Sequence, residues 1–188
     1  GQIGALEQAS HQVAITLASM SYMMATGIAS AATIKTGHSF GKKNIQRVSR
    51  FAKISYKLVL AFMIICALIF TVFNQQLPLL FSDDLSVITI SAQLLIIAGL
   101  FQLFDGTQVV GLGILRGMGD VNIPTIITFV AYWIIGIPMA YFMGIYLNIG
   151  IKGIWYGLTL GLLTSSLLLY FRYQHIIKKH KSNNHLSF

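Results

Sequence analysis

Five long apolar segments dominate this sequence of 188 residues, and the runs 58–73 and 158–169 are the clearest of them. A helix that crosses the hydrocarbon core of a bilayer needs about 20 mainly apolar residues. Charged residues make up 10% of the chain, against roughly 25% in a typical soluble domain. The sequence therefore predicts an all-α integral membrane protein and argues against a soluble enzyme and a disordered chain. The predicted spans are residues 12–34, 55–73, 87–115, 124–147 and 151–171, within a membrane domain of residues 1–172.

The basic residues are distributed unevenly between the segments that flank the spans. If the five spans cross alternately, twelve of the 13 Lys and Arg residues fall on one side of the membrane, and only Lys152 falls on the other side, with Asp83 and Asp84. The positive-inside rule assigns the first side to the cytoplasm. The chain is then expected to start outside and end inside a bacterial-type cytoplasmic (inner) membrane, with residues 173–188 as a disordered cytoplasmic tail. The twelve basic residues are Lys35, Lys42, Lys43, Arg47, Arg50, Lys53, Lys57, Arg116, Arg172, Lys178, Lys179 and Lys181.

A start outside without a signal peptide is unusual, and residue 1 is Gly, not Met. At least one further span upstream would resolve this, so we expect the chain to be part of a longer protein. The sequence contains no P-loop and no HExxH, CxxC or GxSxG pattern, which predicts a protein that is not an enzyme and has no cofactor. Because the basic residues lie beside apolar spans, the expected partner is the lipid bilayer and not nucleic acid.

Asp105 is the most informative residue, because it lies inside the third predicted span. It stands eleven residues before Arg116, about 16 Å along a helix and near the middle of a roughly 30 Å hydrocarbon core. A carboxylate there is costly unless it is protonated, paired or hydrated, so it is a candidate proton or Na⁺ site. Gln102 and Gln108, three residues away on either side, form a polar stripe with it. A buried polar packing cluster without a transport role is the alternative.

Small residues in the last two spans favour close helix packing. Gly153, Gly157 and Gly161 repeat every four residues, a spacing that lets helices approach closely in lipid. Pro138 follows Gly136 within the fourth span, where a proline removes a backbone hydrogen bond and kinks the helix. Such a kink is either static or, as in transporters, a hinge.

Aromatic residues suggest a cavity for an aromatic cation. Trp133 lies deep in the fourth span and is, with Phe101 and Gln12, a candidate to line that cavity. Trp155 is followed by Tyr156, and we expect it in the aromatic belt at the membrane surface.

Three groups of residues resemble motifs of the multidrug and toxic compound extrusion (MATE) family. The first comprises residues 9–13 (ASHQV), 27–37 (GIASAATIKTG) and Gly41. The second comprises 104–109 (FDGTQV), 113–117 (GILRG) and 119–120 (GD), and is similar to the family's DxxQ…GxLRGxxD signature. The third comprises 132–133 (YW), 136–138 (GIP) and 153–157 (GIWYG), which are similar to the last two helices of the family.

This resemblance implies one lobe of a transporter with twelve helices in two six-helix lobes, the chain corresponding to helices eight to twelve. The amino-terminal lobe and helix seven, with its acidic partner for Asp105, would lie outside the chain. Asp105 falls on the carboxylate associated with cation binding in one major subgroup. A tyrosine that helps bind the ion in some members stands one turn earlier, and here that position is Phe101.

The leading hypothesis is therefore that the chain forms part of a secondary active multidrug efflux transporter, which exchanges Na⁺ or H⁺ for organic cations by alternating access. In it, Asp105 binds the coupling ion, with Gln102 and Gln108 as polar neighbours. Two alternatives stay open. One is a lipid-linked oligosaccharide flippase of a related branch, for which a more cationic cavity would be expected. The other is a truncated membrane protein that transports nothing.

Overall fold

The computed structural model describes the backbone of residues 4–185 and the side chains of residues 4–180. Within that range, five helices are long and apolar enough to cross a membrane. This confirms the predicted fold class of an all-α membrane protein. The helices are α1 (Ala5–Gly41), α2 (Ile45–Val72), α3 (Leu85–Gly117), α4 (Asn122–Tyr146) and α5 (Ile151–His185), and a short 3₁₀ turn (Leu77–Leu80) lies between α2 and α3.

The helices α1, α3 and α5 run in parallel. Near the starts of α1 and α3, Ser10 Oγ lies 3.3 Å from the Val87 carbonyl oxygen, to which it can donate. At the opposite end, the ring of Phe40 from α1 packs edge-on against His180 of α5, with centroids 5.2 Å apart. We call this second end the basic end, because the α1–α2 turn, the α3–α4 turn and the last turns of α5 meet there with most of the basic residues.

Helices α1 and α3 pack side by side in register, because small residues line their contact. Thr33 Oγ1 of α1 donates a 2.9 Å hydrogen bond to the Gly113 carbonyl oxygen of α3. A Cβ added to Gly113 would lie 2.6 Å from the Ala29 carbonyl oxygen, too close for any side chain. Close approach of this kind is the usual way in which helices associate in lipid. The pair α1 and α3 therefore forms the rigid centre of the bundle.

Helix α4 is continuous, but part of it is more widely wound than an α-helix. The stretches Ala131–Gly136 and Phe142–Tyr146 are π-helical, on either side of the segment Ile137–Tyr141 that contains Pro138. Pro138 has no N–H to donate into the preceding turn, and π turns accompany such interruptions and often occur at functional sites. Whether this region acts as a hinge stays a prediction.

Three helices extend further than their apolar runs indicated. Helix α1 spans Ala5–Gly41, whereas the predicted span was residues 12–34. Helix α2 begins at Ile45, ten residues before the predicted start, and the Asn44 side chain caps it by accepting from the Arg47 N–H. The disorder predicted from residue 173 onward is wrong for residues 173–185, because α5 continues to His185. Tyr173 and Ile177 are buried in the core of the basic end, which stabilises this extension. Residues 186–188 lie outside the described residues.

Candidate ion-binding site

Gln102, one turn before Asp105 on α3, lies in the interior of the bundle with 1% of its surface exposed. Its Oε1 accepts a 2.7 Å hydrogen bond from Ser21 Oγ of α1. Its Nε2 is buried without a hydrogen-bond partner among the described residues. A buried donor without a partner costs roughly 1–3 kcal/mol. A hydrogen-bond acceptor placed next to Gln102 Nε2 would remove this cost.

Gln108, one turn after Asp105, is buried as well. Its Oε1 accepts a 2.8 Å hydrogen bond from the hydroxyl of Tyr132, which lies on α4. The two glutamines therefore connect α3 to different neighbours, Gln102 to α1 and Gln108 to α4. Both side chains face the interior of the bundle, as expected for residues that lie on one polar stripe of α3.

The Asp105 carboxylate lies between these two amides along α3 and is half-buried. Within the part of the chain whose side chains are described, the ion pair formed is Arg172–Asp120, and Asp105 has neither a salt bridge nor a hydrogen bond. An unpaired carboxylate at mid-span is costly, so a proton or a cation on Asp105 would be stabilised.

The polar side chains that flank Asp105 carry neutral oxygen atoms and no metal-binding nitrogen or sulfur. Among residues 4–180, no three His, Cys, Asp or Glu side chains come together in a way that could hold a metal ion. Hard cations prefer oxygen ligands, and the Ser21 hydroxyl and the glutamine amide oxygens are of this type.

Trp155 does not lie in the interfacial aromatic belt, so that prediction is wrong. It is 1% exposed, and its Nε1 donates a 3.2 Å hydrogen bond to His11 Nδ1 at the start of α1. Phe101 packs edge-on against its ring, with centroids 5.4 Å apart. Indole needs an acceptor when it is buried, and His11 supplies one. Phe101 is therefore part of an aromatic cluster that joins α1, α3 and α5.

The other two candidate cavity residues point away from this interior. Gln12 is exposed on α1. Trp133 is 62% exposed and stacks on Phe129 of the same helix, with centroids 6.0 Å apart. Both therefore lie on outer surfaces of the five-helix bundle, where they are accessible to lipid or to another part of a larger assembly. Their role in a substrate cavity stays a prediction.

The glycines of α5 lie directly against α4. A Cβ added to Gly153 would stand 2.5 Å from the Met143 carbonyl oxygen, and one added to Gly157 would overlap the backbone of Ala140. A Cβ on Gly161 would stand 2.9 Å from the Cα of Gly136. No side chain fits at these three positions without moving α4.

Sequence reasoning missed two polar partners of the site. Ser21 stands among several small residues of the first span, and Tyr132 is one of several tyrosines near Trp133. The signal that would have found Ser21 is the parallel register of α1 and α3, in which residues about 80 positions apart face each other, as Ser21 and Gln102 do. That register cannot be read from hydropathy.

Comparison with known proteins identifies the family. The MatE family model matches residues 1–142. The chain belongs to the MatE family. The multidrug resistance protein NorM of Aliivibrio fischeri is 37% identical over 174 residues, which cover 89% of this chain and 37% of that protein. The probable multidrug resistance protein NorM of Xylella fastidiosa is 31% identical over 179 residues, which cover 95% of this chain and 38% of that protein. The chain thus spans well under half the length of these MatE relatives.

Solved structures of MATE transporters share the fold. The eukaryotic MATE transporter AtDTX14 superposes with a TM-score of 0.85 at 20% identity, over 95% of this chain and 41% of that one. The outward-facing conformation of a multidrug resistance MATE family transporter of the MOP superfamily gives 0.86 at 18% identity, over 93% and 39%. The predicted family and the predicted membrane fold are both confirmed, and this family is a class of transporters and not of enzymes.

Proposed function

We propose that this chain supplies one lobe of a cation-coupled multidrug efflux transporter, in which Asp105 binds the coupling Na⁺ or H⁺. The transporter exports organic cations in exchange for that ion by alternating access. The other lobe, with helix seven, completes the pathway. The observation that carries the proposal is a mid-span carboxylate that has no cationic partner among the described residues and lies between two buried amides.

Two further observations support transport of drugs. The relatives that cover most of this chain are named as multidrug resistance proteins. The intramembrane charge is acidic, which favours organic cations over anionic lipid-linked sugars. The proposed substrates are therefore small cationic xenobiotics.

Coupling requires that the ion bind the two conformations of the lobe with different affinities. The two glutamines that flank Asp105 on α3 connect to other helices, Gln102 to Ser21 of α1 and Gln108 to Tyr132 of α4. An ion at Asp105 changes the electrostatic field that these polar contacts experience. It thereby favours one arrangement of the helices, and release of the ion on the other side of the membrane favours the second.

The distribution of charge supports an orientation with the basic end in the cytoplasm of a bacterial-type cell. In that orientation α1 starts on the outer side, and α5 ends on the inner side. Attachment of a cysteine-reactive, membrane-impermeant label to single cysteines introduced at Asp83 and at Lys178, in a background without Cys66, tests it. If intact cells were labelled at position 178 and not at position 83, the true orientation would be the opposite of the proposed one.

The proposed role of Asp105 is tested in a chimera, in which this chain replaces the matching segment of NorM from Aliivibrio fischeri. Ethidium efflux from cells is measured while the Na⁺ gradient and the pH gradient are varied separately. We expect the Asp105→Asn chimera to lose at least about tenfold in ion-driven efflux, because the amide keeps the shape of the carboxylate and removes its charge. Asp83→Asn, the same chemical change at an exposed turn position, should leave efflux unchanged.

Each result is decisive. Undiminished ion-driven efflux in Asp105→Asn refutes the role of that residue. Absence of ethidium efflux in the unsubstituted chimera, together with movement of a lipid-linked oligosaccharide in vesicles, supports the flippase alternative instead. A response to Na⁺ alone or to pH alone identifies the coupling ion.

A further inference from the structure

A cavity of about 270 Å³ opens at the basic end, between the end of α1, the α3–α4 turn and the last turns of α5. Phe40 and Asp120 line it on one side, and Arg172, His175 and Lys179 line it on the other. None of these groups takes part in the Asp105 site, which lies at mid-span. The cavity therefore needs an explanation of its own.

Arg172 is held in place at the cavity by one edge of its guanidinium group. Its Nε donates to Asp120 Oδ2 at 2.8 Å, and the two side chains are 26% and 15% exposed. Its terminal amino groups make no hydrogen bond to the described residues. A guanidinium group that is fixed in this way presents two further nitrogen atoms, with four N–H donors in one plane, which matches the oxygens of a phosphate group.

Two other residues that line the cavity lie on the same face of α5 as Arg172. His175 and Lys179 follow Arg172 by three and by seven residues, which brings all three to one side of α5. Asp120 compensates the charge of Arg172, and Lys179, at the rim of the cavity, forms no ion pair with the residues whose side chains are described. The cavity thus combines a fixed guanidinium group with an adjacent ammonium group and is suited to an anion.

Apolar side chains beside the cavity indicate that this anion carries acyl chains. Val121 and Ile123 lie one and three residues after Asp120 and are 49% and 39% exposed. Val121 directly precedes α4 and Ile123 lies in its first turn, so exposed apolar side chains lie close in the chain to the cavity, at the start of a helix that can span a membrane. Basic pockets between transmembrane helices at the membrane surface are typical binding sites for anionic lipid headgroups.

We propose that this cavity binds the phosphate group of an anionic phospholipid such as phosphatidylglycerol, through Arg172 and Lys179. The bound lipid holds the end of α5 against the α3–α4 turn. The site does not depend on Asp105, so this proposal stands whether or not the proposed ion coupling is correct.

Native mass spectrometry of the purified full chain, titrated with phosphatidylglycerol and with phosphatidylcholine, tests the proposal. We expect preferential retention of phosphatidylglycerol, and a loss of about fivefold or more in its affinity in Lys179→Gln. The matched control is Lys178→Gln, which removes the same charge from the neighbouring exposed position, outside the cavity; it should change affinity by less than about twofold, as expected for a charge that only contributes to the general field. Lys179→Arg should retain binding.

Three outcomes would overturn the proposal. Equal losses in Lys179→Gln and Lys178→Gln would show only general attraction of lipid to the basic end. Equal competition by inorganic phosphate and by phosphatidylglycerol would identify a phosphate site without a lipid. If Lys179→Gln bound phosphatidylglycerol at full affinity, the cavity would be excluded as the binding site. Circular dichroism confirms that each variant keeps its helices, and binding to Lys179→Arg separates a loss of charge from a loss of folding.

Discussion

The glycine face of α5 makes a quantitative prediction about stability. Gly157→Ala adds one methyl group, whose carbon would overlap the backbone N and Cα of Ala140 on α4. Both are backbone atoms, so no change of rotamer relieves the overlap, and α4 must move away. Forcing an extra carbon into a packed interior costs about 1–3 kcal/mol. Replacing a helical glycine by alanine returns up to about 1 kcal/mol in helix propensity.

Gly27→Ala is the matched control, because it makes the same chemical change in the middle of α1. A Cβ at Gly27 has no heavy atom within 4 Å outside its own helix, so the propensity gain is the expected effect. The free energies of unfolding of the two variants should therefore differ by about 2 kcal/mol, with Gly157→Ala the less stable. Gly153→Ala should behave like Gly157→Ala, since its added Cβ would stand 2.5 Å from the Met143 carbonyl oxygen.

Unfolding of the full chain in mixed micelles, titrated with sodium dodecyl sulfate, gives these free energies. The fluorescence of Trp155, which is buried in the folded chain, reports the transition, and a Trp133→Phe background removes the second tryptophan. If Gly157→Ala and Gly27→Ala differed by less than about 0.5 kcal/mol, the typical limit for substitutions at unconstrained positions, the close contact between α4 and α5 would be refuted.

Three polar contacts give further predictions. His11→Leu should destabilise the chain by about 1–3 kcal/mol, because it leaves the buried Trp155 Nε1 without an acceptor, whereas His11→Gln should retain most of the stability; denaturant titration distinguishes them. In a double-mutant cycle, Ser21→Ala and Gln102→Leu should show a coupling free energy of about 0.5–1.5 kcal/mol, and additive effects would contradict their hydrogen bond. Tyr132→Phe should change the ion dependence of efflux in the NorM chimera without abolishing transport, and an unaltered Na⁺ and pH response would exclude Tyr132 from the coupling.

Hydropathy predicted the five spans, because a helix in lipid needs a long apolar run whatever its neighbours are. It placed the ends of α1, α2 and α5 poorly, because these helices continue beyond their apolar runs through polar or basic turns. In α2 those turns bury Val48 and Ala52 against the rest of the basic end. Such burial depends on tertiary contacts, and the apolar run alone does not contain them.

The candidate site was predictable only in part. Asp105 stands out in the sequence, because an intramembrane carboxylate is rare and costly. The hydrogen bonds from Ser21 and Tyr132 to the glutamines that flank it depend on which faces of three separate helices meet, and spacing within one helix does not determine that. Trp155 illustrates the same limit, because an aromatic residue near the end of a span has the same sequence signal in a lipid interface and in a buried cluster.

The packing of α4 indicates how ion binding at Asp105 would act on the lobe. Helices α1 and α3 are locked in register by small residues, whereas α4 packs mainly on α5. The hydrogen bond from Tyr132 to Gln108 is a polar link from α4 to the helix that carries Asp105. Tyr132 itself lies in the π-helical stretch before Pro138, where the winding of the helix is already altered. A change of charge on Asp105 would therefore act first on α4, and the α1–α3 pair would serve as the fixed frame against which it moves.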